Sequence, residues 1–315
     1  MNAYEKITEQ VVNLLKEGLA PWRKPWNGPS SQPTSMSTGK PYNGFLNLFT
    51  LNCVAISKGF DSPYWGTFNV IKKAGGRLKK GQTGTPVSFW KQVEIDEVNE
   101  DTGEKETIPF LRYYIVFNLD QTEGLEDSKF SSPKGRSLTA SQRIQTAEDI
   151  RDGYFKSVGA PGLKITKGDR AYFSPGKDKV FIPSMAYFDS PEEWYSTLFH
   201  EMGHSTGTEK RLNRACLREV AMFGDHNYSK EELVAEFTAC FLSSEAGISS
   251  TIENSASYIQ NWIKRLENDP KLIVHAASAG TKASNYILER AEWAEKLEEL
   301  DGQEETKERQ LELAF

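Results

Sequence analysis

His200-Glu201-Met202-Gly203-His204 sets two imidazoles four residues apart, with a carboxylate directly after the first. The chain has only four histidines in 315 residues, so the pairing does not follow from a histidine-rich composition. Upstream, Ser190-Pro191-Glu192-Glu193 offers a serine cap, proline at the first helical position and glutamate at the third, which predicts a helix start. On that helix, positions 200 and 204 lie one turn apart on one face. Two imidazoles so placed can bind one Zn²⁺, or another divalent metal, together. The metal acidifies a water, and Glu201 can take the proton as general base. The alternative, two helix histidines engaged only in hydrogen bonds, leaves Glu201 without a role. Gly203 and Gly207 reduce side-chain bulk near the site.

A catalytic zinc needs a third protein ligand. The segment Tyr228-Ser229-Lys230-Glu231-Glu232-Leu233-Val234-Ala235-Glu236 supplies two glutamates, Glu232 and Glu236, four apart on an expected helix. Glu232 is read as the ligand and Glu236 as a residue that orients a ligand histidine, or as the ligand instead. His226 is a further candidate. Ser229 and Glu232 also fit a capping box, in which Glu232 would only start the helix.

Composition sets the frame. The chain is 38% hydrophobic and 26% charged, the profile of a protein with a buried core. No run approaches the roughly 18 apolar residues of a membrane helix, and the N-terminus lacks a signal-peptide pattern. Cys53, Cys216 and Cys240 are odd in number and widely spaced, which fits a reducing cytoplasm better than a disulfide framework. The net charge of −6 hides an asymmetry: residues 1–95 carry 12 Lys and Arg against 5 Asp and Glu, +7, leaving −13 for the rest. The same stretch holds 12 of the 36 aromatic residues, the composition of a nucleic-acid-binding module joined to a different domain. A basic face that only aids solubility is the plainer alternative.

Periodicity organises the chain as an α+β protein. A mixed α/β N-terminal domain spans 1–122, a Ser/Gly/Lys/Pro-rich linker 123–140, a mainly helical domain 141–300 and an acidic tail 301–315. Ile7, Val11, Leu14 and Leu15 predict an amphipathic first helix. Residues 42–56 read as a second helix, and 64–74, with Trp65, Phe68 and Ile71 on one side, as a third. Residues 86–95 and 110–119 read as strands across an acidic connection. In the second domain, short β segments are expected around 171–173 and 180–182. Gly76 and Gly81 have the spacing of a P-loop, but Gln82 stands where its lysine is required, which excludes that reading.

With these motifs in place, the sequence resembles a known family. Ile7-Thr8-Glu9-Gln10 through Pro21-Trp22-Arg23-Lys24-Pro25-Trp26 is similar to the start of ArdC-type antirestriction proteins. Tyr42-Asn43-Gly44, Trp65-Gly66-Thr67-Phe68, Lys80-Gly81-Gln82-Thr83-Gly84-Thr85-Pro86 and Tyr113-Tyr114-Ile115-Val116-Phe117-Asn118 are similar too. Thr197 through Gly207 and Glu231 through Glu236 resemble the zincin-like metallopeptidase domain attached to them. The resemblance implies a protein of plasmids, integrative elements or phages that accompanies incoming DNA, for instance in conjugation. It implies an N-terminal domain that binds single-stranded DNA and protection of that DNA from host restriction. It does not supply the peptidase substrate, for which a host restriction component is one candidate.

Single-strand binders join a basic groove to aromatic faces on which bases stack. Trp22, Trp26 and Trp65 are stacking candidates, each with a core position as the alternative. Arg23, Lys24, Lys72, Lys79 and Lys80 are phosphate candidates. The tail Gln310-Leu311-Glu312-Leu313-Ala314-Phe315 has the form of peptides that bind bacterial sliding clamps, through Gln310, Leu311, Leu313 and Phe315; a frayed acidic helix end is the alternative. Three functions remain open: a zinc peptidase tethered to single-stranded DNA, a DNA-occluding protein with a structural or vestigial zincin domain, and a regulator that cleaves a repressor. No membrane role is expected.

Overall fold

A computed structural model describes residues 2–18, 33–42, 45–98, 105–125, 130, 139–215, 226–248 and 256–291. Trp22, Arg23, Lys24, Trp26 and the clamp-like tail lie outside these residues. The chain divides into two units, one comprising Met1–Lys24, Pro29–Arg136 and Glu253–Ser278, the other Pro25–Gly28, Ser137–Ile252 and Ala279–Phe315.

In the first unit, α1 (Ala3–Lys16) starts at a capping box. The Asn2 side chain accepts from the Glu5 amide at 2.9 Å, and Glu5 accepts from the Asn2 amide at 2.8 Å. Ile7, Val11, Leu14 and Leu15 are buried as their spacing predicts. The sheet runs β1 (Thr34–Ser35), β2 (Tyr64–Gly66), β5 (Lys105–Asn118), β4 (Thr85–Val98) in spatial order. The last two form a long antiparallel ribbon, from Thr85 opposite Val116 to Val98 opposite Lys105. Strand β4 is an edge, and α2 (Phe45–Lys58) covers part of it: Asn47 accepts from the Ser88 amide and donates to the Ser88 carbonyl, both at 2.7 Å. A backbone edge that would otherwise invite a foreign strand is thereby occupied.

Trp65 corrects the sequence reading. Thr67 caps α3 (Phe68–Lys73), so that helix begins only after Trp65, which falls on strand β2. Its side chain is 1% exposed, in a cluster with Tyr42, Leu51, Val87 and Val116, while Phe68 is exposed. A tryptophan enclosed in this way has no face to offer a base, and the core alternative holds.

Beyond β3 (Arg77–Leu78), which pairs with β6 (Thr122–Glu123), the expected linker is partly structural. Leu125 and Phe130 are buried with Met36 and Ile71 in the first unit's core. At the far end of the chain, Glu253–Ser278 packs with the first unit. Thr8 of α1 donates to the Pro270 carbonyl at 2.7 Å, and Tyr4 stacks on His275.

The second unit has α4 (Ala140–Lys156) and a three-stranded sheet, β7 (Gly162–Thr166), β8 (Tyr172–Ser174) and β9 (Lys179–Pro183), in the order β7-β9-β8. Strand β7, half-exposed and weakly patterned, is absent from the sequence reading. Central β9 buries Val180, Phe181 and Ile182. The sheet packs with α5 (Pro191–Ser205), whose Trp194 donates to the Pro183 carbonyl at 2.8 Å, and the unit continues through α6 (His226–Ala246). Helices α7 (Ala256–Asn268) and α8 (Leu272–Arg290) complete the described elements.

Replacing Trp65 by Ala should lower unfolding stability by about 3–5 kcal/mol, the cost of emptying a large core site. A denaturant titration showing a change below about 0.5 kcal/mol, as for an ordinary surface substitution, would place Trp65 outside the core.

Candidate metal centre

Helix α5 begins as its sequence predicts. Ser190 accepts from the Glu193 amide at 3.2 Å, and Pro191 occupies the first turn. The reciprocal carboxylate bond goes to the Asp189 amide rather than to Ser190. Helix α6 already includes Ser229, so Glu232 lies inside it and is not the capping residue of the alternative reading.

Gly203 lets the two helices meet. A Cβ there would stand 3.0 Å from the Thr238 Cβ and 3.1 Å from the Ala235 Cα. This close approach brings Glu232 to the histidines. The His200 and His204 Nε2 atoms are 3.1 Å apart; Glu232 Oε2 is 3.5 Å from the first and Oε1 is 3.4 Å from the second. Tetrahedral ligands at ordinary zinc–nitrogen and zinc–oxygen lengths stand ~3.3 Å from each other, so the three fit one small divalent cation. They are the ligand cluster among the described residues, with all donor atoms within 4.8 Å. Glu201 is buried, 8% exposed, and its charge acts on His204.

The carboxylate against Nδ1 of His204 is Glu231, at 3.4 Å, adjacent to Glu232 rather than one turn beyond it. Neighbouring helix positions point about 100° apart. Glu232 and Glu231 can therefore meet opposite edges of one imidazole. Glu236 lies one turn farther along α6, half-buried and outside the ligand cluster. Glu231 in turn accepts from Arg214, whose Nε reaches its Oε2 at 3.0 Å and whose Nη2 reaches its Oε1. The sequence reading missed both residues. A buried second carboxylate beside a ligand glutamate demands a cation, but only the fold identifies which one.

Burial disfavours a charged His204, yet Glu231 and Glu232 outweigh it and push the imidazole up to about 10. Burial likewise opposes charge on Glu232, and the two histidines overcome it, holding that carboxyl well below the usual range. Before metal binds, His204 thus carries a proton at neutral pH, and a metal must displace it. Zn²⁺ binding should therefore release about one proton from His204, with apparent affinity rising as pH increases from 7 towards 10. Calorimetry in buffers of different ionisation enthalpy measures this, and a buffer-independent heat would contradict it.

The surface lysines of the first unit are placed differently. Lys72, Lys79 and Lys80 are exposed, and Lys79 donates to the Asp120 carbonyl at 2.8 Å. No described helix is long and apolar enough to cross a membrane.

Comparison with known proteins identifies the family of both parts of the chain. A family model described as a zincin-like metallopeptidase matches residues 152–279, and one described as the N-terminal domain of anti-restriction factor ArdC matches residues 1–117. A DNA primase, TraC of Escherichia coli, is 32% identical over 305 residues, 90% of this chain and 27% of the primase. The chain thus spans about a quarter of that relative. Among solved structures, the antirestriction ArdC protein of plasmid R388 in its metal-free form is 32% identical, with a TM-score of 0.69. Its Mn(II)-bound form is 30% identical, with a TM-score of 0.70. Each match covers 92% of this chain and 98% of the other.

Proposed function

Because the chain belongs to the ArdC antirestriction family, an ArdC N-terminal domain followed by a zincin-like peptidase domain, we propose that it is an antirestriction protein of a plasmid, integrative element or phage, that it binds single-stranded DNA, and that it hydrolyses a protein held near that DNA. The observation that carries the hydrolytic part is the convergence of His200, His204 and Glu232 with Glu201 beside them.

A divalent metal, zinc by the chemistry of a two-imidazole, one-carboxylate set, supplies Lewis acidity to water and to a scissile carbonyl when bound. Three protein ligands leave a fourth position open. The chain does the rest. His200, His204 and Glu232 hold the cation, Glu231 orients His204 through Nδ1, and the Glu201 carboxylate receives the proton that water gives up and passes it to the leaving amine. An occluding protein that only coats DNA is the second reading, and it leaves the buried Glu201 carboxylate without a purpose.

The DNA part rests on the first unit's surface. Lys72, Lys79 and Lys80 are exposed cations suited to phosphates. On ribbon β4–β5, Phe89 lies opposite Arg112, and Val87 opposite Tyr114, so Phe89, Phe110, Arg112 and Tyr114 share one face. The rings of Phe89 and Tyr114 are 5.7 Å apart, the Arg112 guanidinium sits 5.3 Å from the Phe110 ring, and all three aromatic residues are exposed. This aromatic and cationic strip takes over the stacking role expected of Trp65. Trp22, Arg23, Lys24 and Trp26 remain proposed contacts. The protein substrate, with a host restriction component as one candidate, the cytoplasmic setting and the clamp-binding tail are likewise proposals.

Glu201→Gln should keep metal and single-stranded DNA while lowering peptide hydrolysis by about 10²–10⁴-fold. Plasmid protection that survives this substitution would favour occlusion. Lys79→Glu with Lys80→Glu should flatten the salt dependence of DNA binding by ~0.7 in log–log slope per lost phosphate contact. Phe89→Ala with Tyr114→Ala should weaken binding by about 1–3 kcal/mol per unstacked base and leave that slope intact. Fluorescence titration with an oligonucleotide at several salt concentrations distinguishes the two. Wild-type affinity and slope in both variants would remove DNA from this surface.

A further inference from the structure

Resting on the metal-site reading above, we infer that Arg214 is a positioning residue of the metal centre: it clamps Glu231 and, through it, sets the ring of His204 with Nε2 facing the metal.

The clamp is built by the turn that follows α5. The Leu212 amide bonds to the Thr206 carbonyl and the Arg214 amide to the Gly207 carbonyl, both at 2.9 Å, so the chain reverses past the helix end. Asn213 makes the reversal in a left-handed conformation, φ 49°. The Arg214 side chain then lies along the last turn of α5, and its Nη2 donates to the Gly203 carbonyl at 2.9 Å. Its Nη1 donates to Thr206 Oγ1 at 2.6 Å. The remaining edge forks onto both oxygens of Glu231. A guanidinium held at three points fixes the plane of the carboxylate it grips, which a flexible ammonium does not.

Gly207 makes room for it. A Cβ there would stand 2.6 Å from Arg214 Nη2 and 2.8 Å from Cζ. The arrangement also balances charge. Glu231 is buried, the Arg214 side chain is largely so, and their charges cancel. Glu201 and Glu232 would then be the carboxylates left to offset the charge of a bound dication. The ligand's ring plane therefore depends on a residue that touches neither metal nor substrate.

The test uses the full chain, Zn²⁺ against a competing chelator, and the visible spectrum of the Co²⁺ form. Arg214→Met should lower Zn²⁺ affinity by about 10–100-fold, the usual effect of removing an outer-shell partner. It should also alter the Co²⁺ bands, which report ligand geometry. Arg214→Lys, which keeps the charge but not the fork, should recover only part of the affinity. Gly207→Ala, which displaces the guanidinium while leaving every charge in place, should reproduce the loss. Thermal unfolding of the metal-free proteins is measured in parallel. Variants that unfold at lower temperature yet bind Zn²⁺ with wild-type affinity and an unchanged Co²⁺ spectrum would reduce Arg214 to a helix-end brace and overturn the inference. Zn²⁺ retained at full affinity in Glu232→Gln would instead overturn the site itself, and this inference with it.

Discussion

Everything at the metal centre depends on how closely α5 approaches α6. Two histidines on α5 cannot make a three-ligand site, and Gly203, with no side chain, lets α6 pack close enough for its glutamates to reach them. A methyl group there would meet the Ala235 backbone and the Thr238 side chain at about the limit of contact. Interiors packed at crystal density transmit such a displacement rather than absorb it. The small residue inside the H-E-x-x-H pentapeptide thus sets the distance between two sets of ligands.

The same approach explains why two consecutive acids serve one histidine. Glu232 meets the Nε2 edge of His204 and Glu231 meets the Nδ1 edge. In the proposed site the first is a metal ligand, and the second, held by Arg214, sets the ring. Three carboxylates and one guanidinium around two imidazoles would be a costly arrangement to bury without a cation between them. Without a metal, the depressed carboxyl of Glu232 and the raised imidazole of His204 show the histidines and carboxylates supporting one another's charge. The ligand spacing accommodates one small divalent cation.

The sequence made parts of this legible for physical reasons. His200, Glu201 and His204 were readable because helical periodicity converts a four-residue spacing into one face. Glu232 was readable as one of two carboxylates at a helical interval, and the helical conformation of Ser229 removes its capping alternative. Arg214 was not readable, because its partnership with Glu231 is made by a chain reversal at Asn213 that no periodicity announces. Trp65 misled because Trp65, Phe68 and Ile71 mimic a helical stripe, whereas the Thr67 cap splits them between a strand and a helix. Conversely, the exposed ring pair of Phe89 and Tyr114 depends on strand register, and register is set by long-range pairing. The return of Glu253–Ser278 to the first unit was hidden for the same reason: an amphipathic helix shows that it packs, not on what.

X-ray absorption at the zinc edge of the zinc-loaded full chain, compared with Glu232→Gln, tests the central claim most directly. The account predicts a first shell of two imidazole nitrogens and carboxylate oxygen at roughly 2.0–2.2 Å, losing its carboxylate contribution in the variant. A wild-type spectrum of zinc bound only by water and scattered surface carboxylates, unchanged by the substitution, would contradict it.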